Sequence, residues 1–129
     1  MIFCRPEFVT HIGKRGVHTG VTPSLISGHC LQGILLSCKV LEIWINNGAS
    51  NNDCKDKLAQ YAVDYGDRRV FAGVHYPIDN ISSWIIALQI IPHIYKHHEE
   101  ILEFAKGAIT EKSYVYAVSY THLTLPTKA

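Results

Sequence analysis

Apolar residues recur along most of this chain with the period of a helix rather than a strand. From Ser27 onward, Leu31, Ile34, Leu35, Cys38, Leu41 and Ile45 fall on one helical face. Leu36, Val40, Ile43 and Trp44 widen that stripe, which predicts a helix buried on most sides. Asn46-Asn47-Gly48 supplies its stop. Asn51-Asn52-Asp53 is a polar turn and N-cap for a second helix, roughly Cys54 to Tyr65. That helix carries Leu58, Tyr61, Ala62 and Tyr65 on one face, and Gly66-Asp67 is expected to close it.

A short connector, Arg68 to Tyr76, follows. Pro77 then suits the first turn of a third helix, with Ile81, Trp84, Ile85, Leu88 and Ile91 as its stripe. Pro92 is expected to break or kink it. A fourth helix, about His93 to Ala108, turns Ile94, Ile101, Leu102 and Ala105 inward. Alternation of the strand type is confined to a hint at Tyr114 to Val118. Residues 1–24 have no sustained period and are punctuated by Pro6, Gly13, Gly16, Gly20 and Pro23, as a loop crossing an active site would be. The expected class is all-α.

Composition narrows the picture. At 129 residues the chain makes at most one domain with a modest core. Hydrophobic residues are 47% and charged residues 18%, so it is not a disordered chain. A net charge of +1 argues against nucleic acid or an anionic membrane as the main partner. The greasiest runs, Leu31 to Ile45 and Ile81 to Tyr95, are interrupted by charge, proline and histidine, and no transmembrane segment is expected. Cys4, Cys30, Cys38 and Cys54 show no metal-type pairing, and Cys30 and Cys38 fall at helix-core positions. His93 and His97 lie one turn apart but lack a third ligand, so no metal site is expected.

The last stretch, Val118-Ser-Tyr-Thr-His-Leu-Thr-Leu-Pro-Thr127, matches an in-frame translation of a transposase-type library adaptor. Residues 1–117 are therefore taken as the domain and 118–129 as a tail expected to pack poorly.

The chemistry concentrates at three places. Arg69, five residues, His75, three residues, Asp79 sets a cation, an imidazole and a carboxylate at fixed spacing. Ser27-Gly28-His29 adds a hydroxyl, an unobstructed backbone amide and a second imidazole. Arg5-Pro6 adds another guanidinium. A phosphoryl group in flight spreads negative charge over three equatorial oxygens, with the attacking and leaving atoms in line. Arg5 and Arg69 suit that equator because a guanidinium is planar and always charged. Ser27 and Gly28, at a helix start, add donors. His75 is the candidate nucleophile, Asp79 its tautomer-fixing partner one turn on, and His29 the general acid and base.

These motifs resemble the phosphatidic acid phosphatase type 2 / vanadium haloperoxidase superfamily, which includes soluble bacterial acid phosphatases. Its signature runs Lys, six residues, Arg-Pro; then Pro-Ser-Gly-His; then Ser-Arg, five residues, His, three residues, Asp. Arg5-Pro6 matches the end of the first block, Ser27-Gly28-His29 the second, and Arg69, His75 and Asp79 the third. Ile26 stands in place of the proline and Arg68 in place of the serine, and the first-block lysine would fall before Met1. That offset and the adaptor-like tail suggest a truncated reading frame.

The resemblance implies a helical bundle holding an oxyanion among helix ends, with His75 bonded to phosphate. The implied activity is hydrolysis of a phosphorylated small molecule or a lipid phosphate, without a cofactor. A second expectation is a haloperoxidase with vanadate at His75, and a third is an inactive helical fragment that lacks the lysine. The compartment stays open, a bacterial periplasmic or extracellular one among the options.

Overall fold

The computed structural model describes residues 26–48 and 51–123. Arg5 and the glycine-rich lead-in lie outside the described residues. Five helices make up the described part, with no strand among them: α1 (Gly28–Asn46), α2 (Asn52–Phe71), α3 (Pro77–Ile94), α4 (His98–Lys112) and α5 (Tyr114–Leu123). The all-α expectation therefore holds. Among the described residues, no helix is long and apolar enough to cross a membrane.

α1 starts and stops where its caps require. Ser27 Oγ accepts the Cys30 amide at 3.2 Å. Gly48, at φ +70°, takes the left-handed conformation that leads the chain away from the helix. α1 packs most extensively on α2, and α3 and α4 complete the bundle. Cys30, Ile34, Cys38, Leu41, Ala62, Val63, Trp84, Ala87, Ile91, Ile101, Phe104 and Ala105 form one core. Burial raises the Cys38 thiol to about 12 and the Cys30 thiol further, so both behave as small hydrophobes.

Several sequence expectations are corrected. α1 is not buried on most sides: Leu36 is 59% exposed, and Val40 and Ile43 are also open. Tyr61, Tyr65, Ile85 and Ile94 are exposed as well, because the packed stripe of each helix is narrower than its apolar stripe. α2 does not stop at Gly66-Asp67 but runs a further turn to Phe71. Glycine there serves close packing, since a Cβ on Gly66 would lie 2.6 Å from Cys30 Sγ.

Asp67 looks across the bundle rather than closing its own helix. Its carboxylate accepts the Ser113 hydroxyl at 2.9 Å and the Tyr114 amide at 2.9 Å, and so caps α5. Burial raises its pKa, against the lowering effect of those bonds. With that cap, Tyr114 to Val118 forms a helix and not the hinted strand. α5 crosses the 117/118 boundary, and the described part of the tail, 118–123, makes up the last six residues of this helix.

Pro92 lies inside α3, which ends at Ile94 with Tyr95 as its C-cap; the Tyr95 hydroxyl donates to the Leu35 carbonyl at 2.6 Å. α4 begins at His98, not His93, because Glu42 of α1 accepts the Lys96 and His97 amides at 2.8 and 3.0 Å and fixes the turn before it.

Candidate active site

α1, α2 and α3 alternate in direction, so the start of α1, the end of α2 and the start of α3 meet at one end of the bundle. Ser27, Gly28, His29, Arg69 and Asp79 sit on these three termini, and His75 lies in the link from α2 to α3.

α3 begins with Pro77, whose missing N–H falls where no helical partner exists. Asp79, in its first turn, takes the Tyr76 amide on Oδ2 at 2.9 Å. In return, the Asp79 amide donates to the Tyr76 carbonyl at 2.9 Å. The same Oδ2 lies 2.8 Å from His75 Nδ1. A carboxylate can only accept, so Nδ1 carries a proton. His75 is 3% exposed and Asp79 0%, so the pair is shielded from water. The backbone reaches His75 through Gly73 at φ +81°, a conformation glycine adopts at no steric cost. The Val74 amide donates to the Arg69 carbonyl at 3.1 Å and binds this turn to the end of α2.

Arg69 belongs to the last turn of α2, not to a connector, and its Nε is buried. Arg68 beside it is exposed. Ser27 is fully buried, and its hydroxyl serves as the α1 cap. Acceptance from Cys30 uses an oxygen lone pair, so the O–H remains a donor. Gly28 and His29 are exposed on the first turn of α1, and a Cβ on Gly28 would meet nothing within 4 Å.

Sequence reasoning passed over Ser83. Its hydroxyl accepts the Ser27 amide at 2.8 Å and lies 2.8 Å from the Asp79 carbonyl and 3.1 Å from the Ser27 carbonyl. A serine inside a helix carries no spacing signature, so nothing in the sequence marked it. Asn80, also fully buried, makes no side-chain hydrogen bond, and its Nδ2 sits beside the bare Cα of Gly66.

His97 Nε2 meets Asn46 Oδ1 at 2.9 Å, and His93 is exposed. Among the described residues, no group of three or more His, Cys, Asp or Glu side chains gathers as metal ligands. Comparison with protein-family models, curated proteins and solved structures gives no match.

Proposed function

We propose that this chain hydrolyses phosphate esters through a phosphohistidine on His75. The observation that carries the proposal is the buried His75–Asp79 pair, with Asp79 Oδ2 on Nδ1 at 2.8 Å. With Asp79 on Nδ1, Nε2 is the nitrogen that attacks, and the carboxylate stabilises the imidazolium-like charge that develops.

In the first step Nε2 attacks phosphorus and the ester P–O bond breaks. His29, exposed on α1, gives its proton to the departing oxygen. In the second, His29 takes a proton from water, the water oxygen attacks phosphorus, and the N–P bond breaks to release inorganic phosphate. Arg69, with Ser27 and Gly28 at the start of α1, neutralises the equatorial oxygens. Arg5 takes the same role on the sequence motif alone. The substrate class is a phosphorylated small molecule or a lipid phosphate.

The test is p-nitrophenyl phosphate hydrolysis with and without orthovanadate, beside His75→Ala. Vanadate-sensitive turnover that disappears in the variant supports the proposal. Turnover that survives in His75→Ala refutes it.

A further inference from the structure

Resting on that phosphatase reading, we infer that Ser83 is a positioning residue, which sets the first turn of α1 against the His75–Asp79 pair. Ser83 is fully buried on α3, one helical turn beyond Asp79. A hydroxyl has a single proton. Here it accepts the Ser27 amide and shares its own proton between the Asp79 and Ser27 carbonyls. A serine within a helix commonly bonds back to the carbonyl four residues earlier. This one takes, in addition, the amide of a residue 56 positions away.

Both ends of the bridge are main-chain groups. It therefore fixes backbone to backbone, where a side-chain contact would leave rotamer freedom. On one side is the N-cap residue of α1, immediately before Gly28. On the other is the peptide of Asp79, whose carboxylate holds His75. Ser83 thus sets the separation between the donors at the start of α1 and the nitrogen that attacks phosphorus. A displacement of about an ångström between such groups costs on the order of a hundredfold in rate. Loss of the hydroxyl also leaves the Ser27 amide buried without its partner.

The test compares Ser83→Ala, Ser83→Cys and a Ser82→Ala control in the full chain. Vanadate mimics the transition state and reports geometry independently of the fraction of active protein. In Ser83→Ala the vanadate inhibition constant is expected to rise about tenfold while KM moves less than about threefold. The NMR signals of the Gly28 amide and the His75 ring are expected to shift together, and Ser82→Ala to leave both in place. Ser83→Cys keeps the shape and weakens both bonds, so it gives shifts in the same direction should alanine unfold the chain. A folded Ser83 variant whose Gly28 and His75 signals stay at their wild-type positions overturns the inference, whether or not the wild type turns over. A wild type without turnover refutes the phosphatase reading alone, and the NMR signals then decide the role of Ser83.

Discussion

Asp79 Oδ2 lies 2.8 Å from His75 Nδ1 and 2.9 Å from the Tyr76 amide, so one carboxylate oxygen both caps α3 and orients the imidazole. Charge and hydrogen bonding separate under substitution. Asp79→Asn, with its amide oxygen in that place, keeps both acceptor contacts but loses the negative charge that steadies the imidazolium during attack. It is expected to fold with a loss of at most about 1 kcal/mol and to lose about 10²–10⁴-fold in kcat. Asp79→Ala loses the cap as well and should unfold about 1–2 kcal/mol more easily. Urea melts and p-nitrophenyl phosphate turnover on both variants check this.

Glu42 ties α1 to the turn before α4. Burial opposes its ionisation, but the His97 and Lys96 amides, with the His97 and Lys39 charges, outweigh it and hold the carboxyl below its ordinary value. The folded pKa is thus below the unfolded one. The stabilisation is present above the unfolded value and fades as pH falls through the folded value, in the window below about pH 4.3. Glu42→Gln is expected to cost about 1–2 kcal/mol at pH 7 and to flatten the acid limb of stability below pH 4.3. Urea unfolding measured from pH 7 to about pH 3 decides it; a variant with the wild-type acid limb contradicts the assignment.

Two glycines give opposite expectations. A Cβ on Gly66 would lie 2.6 and 2.7 Å from Cys30 Sγ and Cβ, so Gly66→Ala should destabilise by about 1–3 kcal/mol. A Cβ on Gly107, in α4, meets nothing within 4 Å, so Gly107→Ala should stabilise by about 0.5–1 kcal/mol. Thermal melts of the two variants should move in opposite directions.

The outcome at Gly66 also shows what was legible. The bounds and packed stripe of α1 were readable because they rest on local signals, Ser27, the apolar spacing and Asn47-Gly48, whereas the exposure of Leu36, Val40 and Ile43 was not. The His75–Asp79 pair was readable because one turn of helix fixes the distance between positions four apart. The end of α2 was not, since Gly66-Asp67 reads as a stop while its real reasons lie on other helices, Cys30 on α1 and Ser113 before α5. α5 was unreadable for the same reason: Tyr-Val-Tyr-Ala-Val favours a strand, and the cap that makes it a helix comes from Asp67, 46 residues earlier. Ser83 was invisible because its partner is a main-chain amide, which every residue has.

Thiol reactivity should follow burial. Cys54 is exposed, whereas Cys30 and Cys38 are buried with raised pKa values. Brief iodoacetamide treatment of the folded chain is expected to modify Cys54 and to spare Cys30 and Cys38 until denaturant is added. Mass spectrometry of the peptides reads this out, and rapid labelling of Cys30 would show that the α1–α2–α3 junction opens.

The proposed phosphohistidine is the sharpest point of attack. The chain is mixed with p-nitrophenyl phosphate, quenched in alkali within the first turnovers, and its peptides are weighed. A phosphoryl group on the His75 peptide, absent from His75→Ala, is the expected result. Turnover with the phosphoryl group on another residue, or with none on His75 at any quench time, would show that Asp79 orients a histidine that does not attack phosphorus.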